Sequence, residues 1–532
     1  MAGLCGSAIQ ILKITLQESL MNTKFNRLYI ALILLLVSLL LTSCSLSVSP
    51  DDPYAKTRFR APFVPTSTPP SPPYFLPGDC RFPVPPGEVR CGDFYVLEDR
   101  ANPDSRVITL HVAVFPSFSE DPEPDPLIFL VGGGGADALS SARFYLERVG
   151  TIIRTKRDFI LYNQRGVKYN DPYLTCPEED QFWEEIFSQN LTKAQEEALE
   201  SQFLLDCRQS LVDQGINLDL YDSLAHAADL AEMISVLGYE KANIFGVSYG
   251  TRTGLTLMRH HPELVRSAIL DGVLPPQINF PSDAITSFGD SLEKLFAACQ
   301  EQPACADKYP DLEGDFNLTL KNLNDQPVSL NIDDQTITLD HNLFMDVVFK
   351  LMHTSAALPD FPREINNASQ GEFSGFTPTL LAARKYNPFL TTGVHYSTIC
   401  RDEVFFDRPE NSRELASQYP ALWQDYFDLS FYFNTCQEWV EDPPDPIENT
   451  PVTSDIPALL LSGQFDPITS PAWSQNTADH LESSFAYEFP NMSHGVLHSN
   501  NCALNMGLAF LDDPWTEPES SCLEEVGVPE FR

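Results

Sequence analysis

Strand-like segments that alternate with helical ones are the feature that most constrains the fold of this chain. From Arg106 onward, short apolar segments bounded by turn residues are followed by stretches with helical periodicity. This alternation predicts a mostly parallel sheet with crossover helices on both faces, an α/β architecture. The segments predicted as buried strands are Arg106–Phe115, Pro126–Val131, Asp158–Asn163, Asn243–Val247, Ser267–Leu270, Ala458–Ser462 and Ala486–Phe489.

The alternation of strands and helices is interrupted once. Helices are predicted over Thr192–Val212 and Ser223–Leu237, but from about Pro275 to Cys436 the sequence becomes amphipathic, helical and rich in loops. Such an insertion commonly covers the carboxyl ends of the strands, where open α/β sheets bind ligands. The predicted division is 1–43 signal peptide, 44–77 linker, 78–275 first part of the core, 276–435 mainly helical cap, and 436–532 C-terminal part of the core.

The first 43 residues have the features of an export signal. Lys24 and Arg27 precede an apolar stretch of 14 residues, Leu28–Leu41, which has the length of a signal-peptide h-region and is too short to span a bilayer. The sequence Leu-Thr-Ser-Cys at its end resembles a bacterial lipobox and predicts a diacylated Cys44 as the mature N-terminus. Met21 would begin a more usual signal peptide than the first residue does. An ordinary cleaved signal peptide is the alternative.

A proline-rich stretch separates this signal from the predicted core. Seven of the 17 residues from Ala61 to Pro77 are proline, mixed with Ser and Thr, which predicts an extended and solvated spacer. We therefore expect an extracytoplasmic protein of the bacterial cell envelope, held at the membrane by its lipid and raised from it by the linker.

The charge balance argues against one class of partner. Lys and Arg number 34 against 74 Asp and Glu, a net charge of −40. Such a field repels phosphate backbones, so no nucleic-acid partner is expected. It attracts cations such as the free amine of a peptide, although an acidic surface also simply keeps an exported protein soluble.

The cysteine count supports export. Without Cys5 in the leader and Cys44 at the lipid site, ten of the 12 cysteines remain, and an even number in an exported chain predicts five disulfides. The sequence alone fixes no pairing. Neighbour spacing favours Cys80–Cys91, Cys176–Cys207, Cys299–Cys305, Cys400–Cys436 and Cys502–Cys522. No His or Cys cluster has zinc spacing, so neither a metal nor another cofactor is expected.

A Gly-x-Ser-x-Gly motif centred on Ser248 follows the strand Asn243–Val247 and precedes a helix that starts near Thr251. A sharp strand-to-helix turn forces such a serine into a strained conformation, and glycines on both sides remove side chains that would clash. This context predicts a nucleophilic serine.

An activated serine needs a base and an orienting acid, and Asp466 and His494 follow Ser248 in the required order. Asp466 comes just after one predicted strand, and His494 just after the last one. The alternatives are a turn or N-cap role for Asp466 and a surface position for His494. His480 and His498 are less favoured bases because of their places in the predicted elements.

Backbone N–H groups are expected to stabilise the tetrahedral intermediate. One donor should be Tyr249, the residue after the nucleophile. The other should be Gly133, within four consecutive glycines that directly follow the strand Pro126–Val131. A flexible turn is the alternative for the four glycines.

At these residues the chain resembles the proline iminopeptidase and tripeptidyl aminopeptidase family of α/β-hydrolases, those with a TAP-like C-terminal segment. The resemblance covers about Cys80 to Cys522. Gly134 stands where the family usually has proline, Asn163 where Asp is common, and Lys168 where Gly is usual. The segments that carry the resemblance are Leu130–Gly135, Asn163–Gly166 with Pro172 and Cys176, Gly246–Thr251, Ile399–Asp402, Cys436–Trp439, Leu461–Pro467, and His494–Gly495 with Cys502.

The resemblance implies an α/β-hydrolase fold and an aminopeptidase that acts on peptide substrates through an acyl-enzyme. An ester hydrolase with the same triad is the alternative within enzymes. A catalytically silent lipoprotein that binds peptides is the alternative outside them. The sequence also offers Asp402 and Glu403, beside Cys400, as carboxylates for the α-amine of a substrate. In so acidic a chain they are also explained as solvated surface.

Overall fold

A single large sheet lies at the centre of the computed structural model, which describes residues 70–84, 89–189, 191–332, 335–385 and 388–532. Its nine strands among these residues follow the order β1-β2-β3-β5-β4-β6-β7-β10-β11. Neighbours from β5 to β11 are parallel, whereas β1, β2 and β3 run antiparallel at one edge. The strands are β1 Tyr74–Gly78, β2 Arg90–Leu97, β3 Val107–Phe115, β4 Leu127–Leu130, β5 Phe159–Tyr162, β6 Ala242–Val247, β7 Val265–Asp271, β10 Ala458–Gly463 and β11 Ser484–Phe489.

The central strands are covered on both faces. Every residue of β4, β5, β6 and β10 is buried. Continuous apolar runs of this kind are typical of parallel strands between two layers of helices. The seven strands predicted from the sequence are all present, and the mostly parallel fold class is confirmed.

Helices lie on both sides of the sheet and form most of the cap. The helix Ser223–Val236, for example, begins where the side chain of Asp222 accepts a hydrogen bond from the N–H of Ala225. The helices are α1 Ala142–Tyr145, α2 Thr151–Ile153, α3 Glu179–Ser188, α4 Lys193–Asp213, α5 Ser223–Val236, α6 Tyr249–His260, α7 Phe280–Glu301, α8 Pro303–Lys308, α9 Leu312–Asp325, α10 His341–Met352, α11 Phe361–Ser369, α12 Thr377–Ala383, α13 Thr392–Thr398, α14 Pro409–Ala416, α15 Ala421–Tyr426, α16 Ser430–Trp439, α17 Pro471–Ala478, α18 Asn501–Asp512 and α19 Cys522–Val526.

The cap, which we define as α7 to α16, has a hydrophobic core of its own. Buried side chains from Ile285 to Phe427 pack together, and Phe465 of the sheet domain joins them. The cap also contains an antiparallel hairpin, β8 Val328–Ile332 and β9 Gln335–Leu339, which the sequence analysis did not predict. The segment between β7 and β10 is therefore a packed unit that rests on the sheet domain.

The start of the sheet corrects one predicted boundary. The proline-rich linker was expected to extend to Pro77, but Tyr74–Gly78 already pairs with β2 as an edge strand. A proline is compatible with an edge strand because one side of such a strand makes no ladder bonds. The predicted signal peptide, Cys44 and most of the linker lie outside the described residues.

All five disulfides favoured by neighbour spacing are present: Cys80–Cys91, Cys176–Cys207, Cys299–Cys305, Cys400–Cys436 and Cys502–Cys522. Such a set is typical of an extracytoplasmic protein. In the part of the chain that the structure describes, no helix combines the length and the apolar character needed to cross a membrane.

Candidate active site

Ser248 lies in a strained turn between β6 and α6. Its backbone has φ 54° and ψ −125°, a conformation that residues with a side chain rarely adopt. A β-carbon on Gly246 would lie 2.6 Å from the carbonyl oxygen of Gly250, and one on Gly250 would lie 2.7 Å from the carbonyl carbon of Leu130. A side chain at either glycine would clash with backbone atoms, so both glycines of the motif are required, as predicted from the sequence.

Asp271, at the end of β7, ties this turn to the loop that carries His494. Its carbonyl oxygen accepts a hydrogen bond of 3.0 Å from the N–H of Ser248. Its buried carboxylate accepts bonds of 2.9 and 2.8 Å from the N–H groups of Val496 and Leu497. Burial raises the pKa of Asp271 to about 6, against the effect of these two bonds. Asp271 was not predicted as a site residue from the sequence, although a carboxylate at the end of a buried strand is a signal that could have indicated it.

His494 and Asp466 form the closest charged contact of the site. Nδ1 of His494 lies 2.7 Å from Oδ2 of Asp466, and Asp466 is 1% exposed. The hydroxyl of Thr469 donates to the same Oδ2 at 2.7 Å and lies 3.2 Å from Nδ1 of His494. The N–H groups of Ile468 and Thr469 donate to Oδ1 of Asp466. The carboxylate is therefore held in one orientation toward the imidazole.

The pair shifts the pKa of each partner. Burial alone would lower the pKa of His494, but the charge of Asp466 and its hydrogen bond outweigh burial and raise that pKa above its usual value. The same contact, with help from Thr469, lowers the pKa of Asp466 although burial opposes it. Asp466 therefore stays ionised and favours a proton on Nδ1 of His494, which leaves Nε2 as the basic nitrogen.

The two other histidines weighed as bases occupy different places. Nδ1 of His480 lies 2.8 Å from the carbonyl oxygen of Asn476, within its own helix end. His498 lines the same cavity as His494, and its ring lies 5.8 Å from that of Phe144. Burial and the nearby charge of His494 lower the pKa of His498 to about 4.

The four-glycine loop passes directly over Ser248. A β-carbon on Gly132 would lie 2.9 Å from the β-carbon of Ser248, and Gly133 has φ 76°, which favours glycine. Gly132, Gly133 and Ser248 line one cavity. Tyr249 is the first residue of α6, where backbone N–H groups have no partner within the helix. The two predicted oxyanion donors, Tyr249 and Gly133, are thus on the two segments that flank the serine.

The cap holds this glycine loop from above. The N–H of Thr391 donates to the carbonyl of Gly135 at 2.8 Å, and Ala136 forms an isolated antiparallel bridge with Leu390. Nδ1 of His395 lies 3.3 Å from the carbonyl oxygen of Gly134. These contacts were not predicted, because they join segments about 250 residues apart in the sequence.

One cavity of about 1540 Å³ joins the candidate catalytic groups. Ser248 and His494 lie on its floor, and the cap supplies much of its wall. The wall is rich in aromatic and other apolar side chains, which include Phe129, Tyr145, Phe280, Phe288, Phe349, Phe389, Tyr426, Phe427 and Phe431. Its size exceeds the ~300–1,000 Å³ of ordinary small-molecule pockets, so there is room for an oligopeptide.

The C-terminal segment also lines the cavity and reaches from the core to the cap. Cys522, at the start of α19, is bonded to Cys502 on the core helix α18. The N–H of Arg532, at the other end, donates to the carbonyl of Pro359 in the cap at 2.8 Å. Residues 525–530 between these two attachments lie along the cavity wall.

Asp402 and Glu403 do not lie on this cavity, which corrects their predicted role as carboxylates for a substrate amine. They are 3% and 2% exposed. Glu403 pairs with the buried guanidinium of Arg252 at 2.8 Å, and Asp402 accepts bonds from the N–H and hydroxyl of Ser223. The hydroxyl of Tyr249 donates to Asp402 at 2.9 Å. Both carboxylates therefore fix the residues that follow the serine turn to the cap.

Two family models match the sequence. One, described as alpha/beta hydrolase fold, matches residues 125–312, and one described as TAP-like protein matches residues 420–522. The chain is 26% identical over 238 residues to the serine protease Hip1 of Mycobacterium tuberculosis, covering 41% of this chain and 43% of that protein. It is 25% identical over 199 residues to the tripeptidyl aminopeptidase of Streptomyces lividans, covering 36% of each. The chain thus spans less than half the length of these relatives.

Among solved structures, the proline iminopeptidase of Mycobacterium smegmatis is 16% identical, with a TM-score of 0.35, over 76% of this chain and 91% of that one. The two family models fall mainly on the first and second parts of the core, and the sheet has the mostly parallel order predicted for it. The chain therefore has the α/β-hydrolase fold, and its residues 420–522 match the model of a TAP-like protein.

Proposed function

We propose that this protein is a serine hydrolase, and more narrowly an aminopeptidase that releases residues or short peptides from peptide N-termini. The observation that carries the proposal is the 2.7 Å contact of Asp466 with His494 on the cavity that also receives the strained Ser248. The family models and the two named relatives support the same reaction class.

In the proposed acylation step, Oγ of Ser248 attacks the carbonyl carbon of the scissile amide, and Nε2 of His494 takes the hydroxyl proton. A C–O bond forms, and the electron pair of the carbonyl moves onto its oxygen. The N–H groups of Tyr249 and Gly133 donate hydrogen bonds to that oxyanion. Asp466 stabilises the imidazolium that forms on His494 without itself taking the proton.

The C–N bond then breaks, and His494 gives its proton to the leaving amine. A water molecule replaces this amine, loses its proton to His494 and attacks the acyl-enzyme. Collapse of the second tetrahedral intermediate breaks the C–O bond and returns the proton to Oγ of Ser248. The raised pKa of His494 suits both halves of the cycle, since a base effective near neutral pH is also an acid there.

Peptides with apolar side chains are the substrates that the cavity supports best. Its wall is largely aromatic, with Phe288 and Phe427 from the cap and Phe129 from the core among its members. Aromatic side chains bury large areas, and burial of apolar surface contributes roughly 25 cal/mol per Å². The C-terminal segment and the cap enclose the space around the serine. This enclosure supports cleavage near the end of a peptide substrate.

A substrate panel tests the reaction and its class. Aminoacyl, di- and tripeptidyl chromogenic amides should be cleaved, their N-acetylated forms poorly, and simple acyl esters with lower kcat/KM. A preference for the esters would support the ester hydrolase instead. Ser248→Ala should lose about 10⁴–10⁶-fold in kcat and retain its thermal unfolding temperature. If the wild-type protein cleaves none of these substrates and takes no fluorophosphonate label, the result would support the non-catalytic alternative, a peptide-binding lipoprotein.

We also propose that Cys44 carries a lipid and holds the mature protein at the outer face of a bacterial membrane. The five disulfides support the compartment. Cys44→Ser should abolish labelling with palmitate and release the protein from the membrane fraction. Membrane retention without label would indicate an uncleaved signal anchor.

A further inference from the structure

A short segment of the cap, Met352–Ser355, is attached to the loop that carries His494. The backbone N–H of Ser493 donates to the hydroxyl of Ser355 at 2.9 Å, and the hydroxyl of Ser493 donates to the carbonyl of Met352. Ser493 is fully buried. These bonds join residues about 140 apart in the sequence and fix the backbone position of the residue just before His494.

Within this segment, His353 lies against the imidazole of His494. The two ring centroids are 4.9 Å apart, with 38° between the ring planes. His353 lines the cavity and follows the last residue of α10, so the C-terminal end of that helix points toward the base loop. Asp466 restrains one edge of the His494 ring through Nδ1, and the tilted ring of His353 packs against it.

Burial, reinforced by the nearby charge of His494, keeps His353 an uncharged aromatic ring. Burial and the nearby charge of His494 lower the pKa of His353 to about 4, with Asp466 opposing and His498 reinforcing the shift. His494 itself faces Asp466, Asp271, His353 and His498. A cation within about 6 Å of an aromatic ring, over its face, is attracted by the electron density of that face, and the negative end of a helix dipole attracts it as well.

We infer that His353 is a positioning residue for the catalytic base. Its ring blocks rotation of His494 into the cavity and stabilises the imidazolium that forms when Ser248 loses its proton. This inference rests on the proposed function, because it assigns His353 a role in the same reaction. The cap therefore contributes to the chemical step as well as to the substrate cavity.

Two substitutions of similar size separate a ring effect from simple filling of space. His353→Phe retains an aromatic face and His353→Leu removes it. We expect His353→Phe to keep kcat within about threefold of wild type. We expect His353→Leu to lose about tenfold in kcat with KM nearly unchanged. The acid limb of its kcat/KM profile should move about half a pH unit lower, because the imidazolium loses its aromatic contact.

His480→Leu is the matched control, since His480 lies two residues beyond α17 and its Nδ1 contacts the carbonyl of Asn476 in that helix. Thermal unfolding of each variant checks the fold. Equal kcat and equal acid limbs for the Leu variant and wild type would overturn the inference. Equal losses for Phe and Leu with unmoved acid limbs would overturn it too. NMR titration of His494 in the same variants reads the pKa shift without turnover, so an inactive wild type would refute only the proposed function.

Discussion

Thr398 of the cap occupies the space that a β-carbon on Gly134 would need. The β-carbon of such a residue would overlap the hydroxyl of Thr398 and lie 2.8 Å from its β-carbon. The family that the sequence resembles usually has proline at this position, a residue that stiffens the loop by fixing φ. Here the loop is instead held by the cap, through Thr391 and His395, so the missing proline is replaced by tertiary contacts.

Substitution at this position should therefore impair catalysis through geometry. Gly134→Ala is expected to lower kcat by about 10²-fold, because the loop must move away from Thr398 and carries the N–H of Gly133 with it. The control is Gly78→Ala, since a β-carbon on Gly78 meets nothing within 4 Å. Unchanged kcat in Gly134→Ala would show that the loop shifts without affecting the oxyanion donors.

The Asp466–His494 pair predicts the pH dependence of activity. The base must be neutral to accept a proton, and Asp466 raises the pKa of His494, so kcat/KM should fall as the pH drops through a value above 6.5. Asp466→Asn removes the charge and should move this acid limb to lower pH while kcat falls about 10⁴-fold.

Asp479→Asn is the control for that change, because Asp479 lies on the surface at the end of α17. pH–rate profiles of the three proteins make the comparison. A wild-type acid limb at or below the ordinary histidine range would contradict the role given to Asp466.

Glu403 should matter for stability rather than for recognition of an amine. Glu403→Gln removes the carboxylate that pairs with the buried guanidinium of Arg252 and is expected to cost about 3 kcal/mol of unfolding free energy. Chemical denaturation measures the loss. Glu410→Gln, in an exposed pair with Arg413, is the control and should lose nothing measurable. A rise in KM confined to free-amine peptides would restore the original prediction for Glu403.

The Cys400–Cys436 disulfide should also stabilise the part of the cap that packs against the core. It closes a loop with a sequence separation of 36, for which chain-entropy arguments give about 4 kcal/mol. A Cys400→Ser, Cys436→Ser double variant should lose stability of this order in denaturant titrations. If the loss is below ~1 kcal/mol, the 3.1 Å bond from the indole of nearby Trp439 to Ser397 and its packing suffice to hold the segment.

The parts of this molecule that follow from local pattern were predictable from the sequence. Buried apolar runs gave the central strands, and the Gly-x-Ser-x-Gly motif between a strand and a helix gave the position of Ser248. The strand β2, Arg90–Leu97, was missed, because its alternation of buried and half-buried residues is broken by adjacent buried Cys91 and Gly92. The hairpin within the cap was missed because the sequences before and after it have a helical pattern.

The contacts between cap and core could not be predicted from the sequence. Asp402 and Glu403 have the composition of a solvated surface. In the structure both are buried, and their carboxylates are bonded by residues about 150–180 positions away: Ser223 and Tyr249 donate to Asp402, and Arg252 pairs with Glu403. His353 and Ser355 have no periodic signal that would link them to Ser493. Such pairings depend on how two packed units meet, and sequence periodicity carries no information about that.

Hydrogen bonds join the cap to both the glycine loop and the base loop. The equilibrium between an open and a closed cap therefore controls both the entry of substrate and the position of the catalytic groups. If the cap lifted to admit a substrate, Thr391 would leave Gly135 and Ser355 would leave Ser493, so an open molecule would be a poor catalyst. Thermodynamic coupling is reciprocal. If cap closure strengthens binding of a ligand to Ser248 and the oxyanion donors, that ligand shifts the equilibrium toward the closed cap by the same factor. A covalent serine inhibitor should thus protect cap segments from limited proteolysis far from the serine itself.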